Sequence, residues 1–253
     1  MLRFLVLHPL APMLTPLIRL ADAAYRAGVP LMPDPAFDQL TRLAPNALPP
    51  ITTALLSLDC PAEPLDWLER NPGPYAVQLK ADGVSVNLVY LDGRLSHAHL
   101  RSGRDCTAAA IRAGALSDLP GALPGRIEIR CEAIGRPATT PTTRNAVAAA
   151  LRRKNLTDPT PLTLLAFDLN GVAGVTTQRG ALTWLRCAGF AVLDCLVCHT
   201  SAEVLAHCAG FAAIQPTLPF ACDGLTIKLD SLPRQRQLGN SSRTPNWAIS
   251  WKP

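Results

Sequence analysis

Lys80, in the stretch "QLKADG", is a residue whose type and setting could do chemistry. The flanking stretches "PYAV" and "VSVNLVYLDGRLSHAHL" alternate apolar and polar residues, which predicts two half-buried strands with Lys80 at the tight turn between them. A lysine becomes a nucleophile when burial or a nearby positive charge lowers its pKa, and it can then accept an acyl or phosphoryl group. An ordinary solvated turn residue is the alternative interpretation.

Four other charged residues would have to meet Lys80 for such chemistry. Lys228 in "DGLTIK" and Lys252 in "WAISWK" are predicted to lie on late strands, where alternation could aim both toward one cleft. Arg101 follows the hairpin, and Glu132 ends the strand "IEIRCE", where a carboxylate among cations could hold a metal ion. One acid among several bases at strand ends is typical of phosphoryl or nucleotidyl transfer, because the cations stabilise charge on phosphate oxygens.

The elements that must position these residues follow one another without a regular β-α-β order. The N-terminal stretch "LTPLIRLADAAYRAGVPLMPDPAFDQLTRL" predicts two short helices, and "LDG" at 91–93 predicts a hairpin. Further strands are predicted in "RIEIRCEAI", "PLTLLAFDL", "CDGLTIKLD" and "TPNWAISWKP". Helices are predicted near 144–154, in "QRGALTWLRCAGF" and in "TSAEVLAHC", the last with a capping box from Thr200 to Glu203. This interleaving predicts an α+β fold with largely antiparallel sheets.

The composition is that of a globular protein. With 48% hydrophobic and 17% charged residues in a chain of 253, the sequence suits one larger domain with a small appendage. The 24 prolines are spread among turns and linkers and predict short, stiff connections. The formal charge of +5 permits a polyanionic partner such as nucleic acid without requiring one.

The eight cysteines are expected to be free, buried thiols in a reducing, cytoplasmic compartment, because a chain this long and apolar needs no disulfide framework. The stretch "CLVCH" at 195–199 matches a haem-attachment pattern, but a lone C-x-x-C is a weak metal signal and packing is the favoured explanation. Prolines interrupt the apolar run "MLRFLVLHPLAPMLTPLI", which argues against a signal peptide and against a membrane span.

An ordered set of short motifs gives the sequence a family resemblance. "LLSLD" at 55–59, "KADG", "RIEIRCE", "TRNAVAAALR", "CDGLTIKLDSL" and "RTPNWAISWK" follow in the order and at about the spacing of the adenylation domain of bacterial NAD-dependent DNA ligases. "KADG" resembles the KxDG motif around the nucleotidyl-accepting lysine of DNA ligases, RNA ligases and capping enzymes. The N-terminal "AYRAGVPLMPDPAFDQL" resembles the helical cap that grips nicotinamide mononucleotide, which favours NAD over ATP. The resemblance covers roughly residues 17–253.

The resemblance implies a fold and a division of the chain. The fold would be an ATP-grasp-like nucleotidyltransferase fold of antiparallel sheets flanked by helices, with a small N-terminal helical subdomain. Residues 1–48 would form the cap that binds nicotinamide mononucleotide, and residues 49–253 would form the adenylation domain.

The same resemblance implies the roles of the reactive residues. Lys80 would attack the α-phosphorus of NAD, form a lysine–AMP intermediate and expel nicotinamide mononucleotide. Asp82 would orient the lysine and the nucleotide, while Lys228 and Lys252 would hold the α-phosphate.

Other positions would contact the cofactor. Arg101 and Glu132 would contact the ribose, and Glu132 would also assist the placement of Mg²⁺. The remaining cofactor-binding positions are Tyr25, Asp34, Phe37 and Asp38 in the cap and Ser57, Leu58 and Gln78 in the adenylation domain.

The sequence also departs from the family pattern. Gln78 stands where a glutamate usually reads the adenine amino group, although its amide oxygen can accept the same hydrogen bond. Arg26 stands where the cap commonly has a histidine, Cys131 replaces the glycine of an "RGE" turn, and the loop after Arg101 is shortened to "SGRDCT". These changes indicate a diverged paralogue.

The function implied is that of an NAD-dependent DNA ligase, which seals nicks in DNA when an oligonucleotide-binding barrel and other DNA-binding parts are supplied. Three explanations of the absent parts stay open: a piece of a longer ligase limited to the adenylation domain, a ligase split into two polypeptides, or a stand-alone relic. Nicked DNA should therefore bind this chain alone weakly and with strong salt dependence. Two alternatives stay open: a module that binds NAD or AMP without catalysis, and an enzyme that passes AMP to RNA or protein.

Overall fold

The computed structural model divides the chain into two compact units. One comprises Met1–Ala54 and Asn240–Pro245, and the other comprises Leu55–Gly239 and Asn246–Pro253. The residues described are 11–26, 31–33, 36, 40, 57–58, 63–121, 123–135, 143–153, 161–240 and 244–253.

The smaller unit contains helix α1 (Ala11–Arg26), in which Ile18 and Ala21 are buried. Pro16 lies inside this helix, which is longer than the first of the two short helices predicted from the sequence. The second predicted helix, which begins at Asp34, falls mostly outside the described residues. Among the described helices of the chain, none combines the length and the apolar character needed to cross a membrane.

The larger unit is built on two sheets. Its strands are β1 (Ser57–Leu58), β2 (Tyr75–Ala81), β3 (Val84–Leu91), β4 (Arg94–Leu100), β5 (Arg126–Gly135), β6 (Leu162–Asn170), β7 (Cys195–Cys198), β8 (Cys222–Leu229) and β9 (Ala248–Trp251). Sheet A has the order β1-β9-β8-β2-β7, and sheet B has the order β4-β3-β5-β6. Every pairing is antiparallel except that of β1 with β9. The predicted α+β class with largely antiparallel sheets is therefore confirmed.

Helices cover one face of each sheet. They are α2 (Glu63–Arg70), α3 (Thr107–Arg112), α4 (Arg144–Arg152), α5 (Gln178–Cys187), α6 (Ser201–Ile214) and α7 (Leu232–Leu238). Half of the capping box predicted for α6 is present, since the backbone N–H of Glu203 donates to the Thr200 hydroxyl at 3.2 Å. The Glu203 carboxylate accepts from the backbone N–H of His199 at 2.6 Å and not from that of Thr200. The sequence analysis did not predict α2, α3, α7 or strand β7.

The apolar cores lie on the helix-covered, outer faces of the two sheets. On sheet A, Val77 and Ile227 pack in one buried cluster with Phe211 of α6. On sheet B, Leu88 and Ile129 pack in another buried cluster, with residues of α3, α4 and α5. Because successive side chains of a strand point to opposite faces, the polar residues between these core positions lie on the inner faces of the sheets.

The link between β2 and β3 carries the chain from sheet A to sheet B. Only Asp82 and Gly83 separate the two strands, which do not pair with each other. Lys80 is the penultimate residue of β2, so the prediction that it occupies a turn between two paired strands is wrong. A Cβ atom at Gly83 would lie 2.2 Å from the carbonyl oxygen of Ala133, and glycine is therefore required where β3 begins beside β5.

Candidate active site

Strand register places four of the predicted site residues on the inner face of sheet A. Residues directly opposite each other in a ladder share a face, and Lys228 is opposite Ala76 while Gln78 is opposite Thr226. Lys80 follows Gln78 by two residues and therefore has the same orientation. Lys252 follows Ser250 by two residues, and Ser250 is opposite Thr226.

Lys80 and Lys252 share one carboxylate, that of Asp223. The Lys80 Nζ donates to Asp223 Oδ1 at 2.9 Å and to Oδ2 at 3.1 Å. The Lys252 Nζ lies 2.8 Å from Asp223 Oδ2. Burial raises the pKa of the Asp223 carboxyl, but the hydrogen bonds from Lys252 and Lys80 outweigh burial and leave this pKa below its ordinary value.

A bulge in β8 aims Asp223 at Lys80. The register of β2 on β8 shifts between Leu79, opposite Leu225, and Ala81, opposite Cys222, so that Asp223 and Gly224 together face Lys80. Gly224 has φ +156, and a Cβ there would lie 2.0 Å from the carbonyl oxygen of Trp251. Only glycine fits this approach of β8 to β9.

The sequence analysis missed Asp223. The signal present in the sequence is its position before Gly224 at the start of the strand in "CDGLTIK", because an Asp-Gly pair where alternation begins indicates an irregular strand start. The partner of this aspartate, however, is 143 residues away in the chain. A local sequence pattern carries no information about a contact between residues so far apart in the chain.

Glu132 lies on the inner face of sheet B, opposite Ser85. Its Oε1 accepts a hydrogen bond from the backbone N–H of Gly83 at 3.2 Å, beside the residues that link β2 to β3. Burial raises the pKa of Glu132 to about 7, against the opposing effects of the cations of Lys80 and Arg144. A partly buried carboxyl whose pKa is raised toward neutral pH among cations is a frequent property of functional sites.

Asp82 pairs with an arginine. Its Oδ1 lies 3.5 Å from the NH1 of Arg144, the first residue of α4. Its backbone N–H donates to the carbonyl oxygen of Ala221 at 2.8 Å, which fixes the link to the residue before β8. The orienting role that the resemblance implies for Asp82 stays a prediction.

Lys228 belongs to a second group of charges, which joins the two sheets. We call Lys228, Arg130, Phe167 and Asp168 the cross-sheet cluster. The Lys228 side chain is 3% exposed, and its Nζ donates to the carbonyl oxygen of Phe167 at 3.0 Å. The guanidinium of Arg130 and the ammonium of Lys228 lie 5.2 Å and 5.3 Å from the centre of the Phe167 ring. The sequence analysis did not select Arg130, Phe167 or Asp168.

Gln78 is oriented by one hydrogen bond. Its Nε2 donates to the carbonyl oxygen of Leu193 at 2.7 Å, and the residue is 2% exposed. Its Oε1 is buried and has no hydrogen-bond partner. Because the Leu193 carbonyl can only accept, it holds the amide with the oxygen turned away from Leu193 and free to accept a hydrogen bond.

The other predicted site residues are placed as follows. Arg101 is exposed in the turn after β4. The backbones of Ser57 and Leu58 pair with Ser250 and Trp251, next to Lys252. The side chain of Tyr25 and all of Asp34, Phe37 and Asp38 lie outside the described residues.

The described cysteines are all free, as expected. Five are buried, Cys195 is partly buried and Cys187 is exposed, so the prediction of buried thiols is wrong for Cys187. The stretch "CLVC" forms strand β7, at one edge of sheet A. Cys131 lies within the continuous strand β5 with a fully buried side chain, and not in a turn.

Asp223 and Glu132 are two carboxylates near Lys80 whose oxygens are candidate metal ligands. In the part of the chain that the structure describes, no group of three or more His, Cys, Asp or Glu side chains could hold a metal by itself. Mg²⁺ commonly binds through one or two carboxylates together with substrate phosphates and water. Glu132 and Asp223 provide such oxygen ligands.

Comparison with solved structures agrees with this architecture. A structure named "Pmar-Lig_PreS3" superposes with a TM-score of 0.55 at 13% sequence identity, over 88% of this chain and 51% of that chain. Two antiparallel sheets with flanking helices and this likeness place the chain in the nucleotidyltransferase fold class.

Comparison at the sequence level gives the family. Residues 136–253 match the family described as NAD-dependent DNA ligase adenylation domain. The "DNA ligase" of Chloroflexus aurantiacus is 35% identical over 214 residues, which are 70% of this chain and 30% of that protein. The "DNA ligase 2" of Streptomyces coelicolor is 30% identical over 91% of this chain and 39% of its own length. Residues 136–253 therefore resemble the NAD-dependent DNA ligase adenylation domain family, and the chain is similar to DNA ligases over most of its own length while it spans about a third of the length of these curated relatives.

Proposed function

We propose that this chain catalyses NAD-dependent adenylation of its own Lys80. The observation that carries the proposal is the convergence of the Lys80 and Lys252 ammonium groups on Asp223, near the partly buried Glu132, on a polar face of the nucleotidyltransferase fold. The family that residues 136–253 match supports NAD as the source of the nucleotide.

The step we propose forms a phosphoramide bond. The Lys80 Nζ loses a proton to solvent and its lone pair attacks the α-phosphorus of the adenylyl half of NAD. A P–N bond forms while the P–O bond of the pyrophosphate breaks, and nicotinamide mononucleotide leaves as a phosphate monoester. The nitrogen then gives its second proton to solvent, which leaves a phosphoramidate with one N–H. The amine must lie in line with the leaving oxygen, and the extended backbone of β2 together with the two hydrogen bonds to Asp223 holds it in a fixed place.

The surrounding cations would stabilise the α-phosphate during the reaction. The ammonium groups of Lys252 and Lys228 would balance the charge that grows on the α-phosphate oxygens. Glu132 and Asp223 are the carboxylates that would hold Mg²⁺ together with the phosphates, and the ion would supply further positive charge to the reacting phosphate. When the phosphate binds, it can replace Asp223 as the partner of Lys252, while Asp223 continues to hold Lys80.

Gln78 would select adenine. Its unpartnered Oε1 can accept a hydrogen bond from the 6-amino group of the base, whereas the 6-oxo group of hypoxanthine would meet it as a second acceptor. Leaving a buried acceptor unpaired costs about 1–3 kcal/mol, so we expect NAD to react roughly 5- to 150-fold faster than nicotinamide hypoxanthine dinucleotide at low concentration.

Competition between the two dinucleotides in Gln78→Leu and Gln78→Glu tests this. Gln78→Leu should lose most of the preference and Gln78→Glu should keep it. Asn87→Leu is the matched control, because Asn87 is another buried amide with an unpartnered oxygen. An undiminished preference in Gln78→Leu would show that another group reads the base.

Intact-mass spectrometry tests the proposed activity directly. The purified protein is incubated with NAD and Mg²⁺, and in parallel with ATP and Mg²⁺. We expect a gain of the mass of one AMP with NAD only, and its loss when nicotinamide mononucleotide is added in excess, because the step is reversible. No gain with either nucleotide would contradict the proposal and favour a module that binds NAD or AMP without catalysis.

We further propose that the adenylated chain passes AMP to the 5′-phosphate at a nick in DNA, together with the parts of DNA ligases that lie outside the matched third. Its similarity to DNA ligases over about a third of their length supports this. A chase of labelled AMP from the protein onto nicked DNA or onto RNA identifies the acceptor.

A further inference from the structure

Asp168 is the anion of the cross-sheet cluster. Its Oδ2 lies 3.9 Å from the Lys228 Nζ and 3.9 Å from NH1 of Arg130, while its Oδ1 accepts from the backbone N–H of Leu169 at 3.1 Å. The Asp168 side chain is 14% exposed, so water screens neither contact well. The Asp168 carboxylate therefore lies near two cations, Lys228 of sheet A and Arg130 of sheet B.

The backbone around Asp168 is irregular in a way that produces this geometry. The register of β5 on β6 shifts between Arg130, opposite Asp168, and Cys131, opposite Ala166, so that Phe167 is the extra residue of a bulge. The Phe167 carbonyl oxygen then accepts from Gln178 Nε2 at 2.8 Å as well as from Lys228. The bulge directs this carbonyl and the neighbouring carboxylate toward Lys228 together.

Lys228 needs such an anion when no nucleotide is bound. Burial lowers the pKa of Lys228, Asp168 raises it, and the nearby Arg130 lowers it further. The other titratable group that acts on Lys228 is the thiol of Cys195 on β7, whose pKa burial raises to about 11. Asp168 is therefore the group that offsets the burial of Lys228 in the free protein at neutral pH.

We propose that Asp168 is a positioning residue for adenylation: it keeps Lys228 charged and in place between the two sheets while the nucleotide site is empty. The inference rests on the proposed function, since Lys228 matters there as a partner of the α-phosphate. Once NAD is bound, its phosphate supplies a second negative charge to Lys228. The contribution of Asp168 is thus largest in the free enzyme.

This difference gives a specific kinetic expectation for Asp168→Asn. Rates of AMP incorporation are measured over a series of NAD concentrations from pH 6 to pH 10. The ratio of maximal rate to half-saturating NAD concentration reports the free enzyme, and the maximal rate reports the complex. Loss of a charge partner at this distance shifts a pKa by about one unit or more, so the alkaline limb of the ratio should move down by about one pH unit. The alkaline limb of the maximal rate should shift by less than that of the ratio.

Asp168→Glu and Asp118→Asn serve as controls. Asp168→Glu retains the carboxylate and should restore the alkaline limb. Asp118→Asn makes the same chemical change in an exposed ion pair with Arg94 and should leave the profile unchanged. An Asp168→Asn profile that coincides with that of the unsubstituted protein would overturn the inference.

A folding defect in Asp168→Asn would not end the test. In that case Asp168→Asn is combined with Lys228→Gln, which removes the unpaired cation. Recovery of folding in the double variant supports the pairing of Asp168 with Lys228, and no recovery contradicts it. The proposed function fails separately: the unsubstituted protein would then gain no AMP at any pH.

Discussion

Lys80→Ala will leave the protein unable to acquire AMP from NAD. The substitution removes the amine that the extended β2 strand presents next to Asp223, and an alanine at this position offers no nucleophile. We expect the mass gain to disappear. Since Asp223 keeps its contact with the Lys252 Nζ at 2.8 Å, the carboxylate remains paired and the fold should survive.

A parallel experiment on Lys252 distinguishes which of the two lysines is the nucleophile. It is a second lysine on the same carboxylate, with a side chain 37% exposed against 27% for Lys80, and so it is the competing candidate for the nucleophile. We expect Lys252→Ala to keep the adduct at a reduced rate, because it removes only charge stabilisation of the phosphate. Peptide mapping of the adenylated protein should place AMP on Lys80. A full adduct in Lys80→Ala, or AMP mapped to Lys252, would refute the assignment.

Glu132→Gln will make the protein more stable at pH 8 while it lowers the adenylation rate. Burial raises the pKa of Glu132 from 4.5 to about 7, so its charged form is disfavoured in the folded state. Between these two values the folded protein binds more protons than the unfolded chain, and the free energy of unfolding therefore falls as pH rises through this window. A neutral glutamine removes this destabilisation.

Melting temperatures at pH 5 and pH 8, measured with a chelator present, check this prediction. One pKa unit corresponds to about 1.4 kcal/mol, which is about 3–6 °C in a protein of this size, and we expect a gain of at least that much at pH 8. The gain should vanish near pH 5. Glu128→Gln is the matched control on the same strand, since Glu128 already pairs with Arg126, and it should not raise the melting temperature. A lower melting temperature for Glu132→Gln at pH 8 would contradict the stated cause of the pKa shift.

The loss of activity in Glu132→Gln follows from the same carboxylate. A neutral amide is a poorer ligand for Mg²⁺ and leaves the charges of Lys80 and Arg144 without this partner. Retention of the full adenylation rate would show that Glu132 is a partly buried structural acid. A residue that lowers the stability of the fold but is needed for activity is expected to give higher stability and lower activity when it is replaced.

Much of the fold could be predicted because its elements carry strong local signals. The Asp92-Gly93 turn has φ 48 and φ 81 and joins β3 to β4 as a hairpin turn of this composition should. The run "RIEIRCEAI" alternates as β5 does in the structure. Helix α7 was missed because its seven residues include only two buried ones, too few to set up a helical period.

The pairing of the strands could not be predicted from the sequence as well as the strands themselves. Both strands that flank "QLKADG" alternate apolar and polar residues. This alternation is expected both for strands that pair with each other and for strands of different sheets, and here the two strands belong to different sheets. The motifs indicated the three lysines of the site, but they did not indicate the groups that contact these lysines, which are Asp223, Asp168 and the carbonyl oxygen of Phe167. These partners act through bulges, which add one residue to a strand and leave little trace in its composition.

The two-residue link between β2 and β3 sets a limit on how the sheets can separate. From Ala81 in one sheet to Val84 in the other, the backbone spans three residue steps, which is about 11 Å at full extension. The sheets therefore have a covalent tether at the end where Lys80 lies, next to the contact of Gly83 with Glu132. Any splaying of the sheets to admit or release a nucleotide would pivot near this tether, and Lys80 would move less than residues at the far ends of the strands.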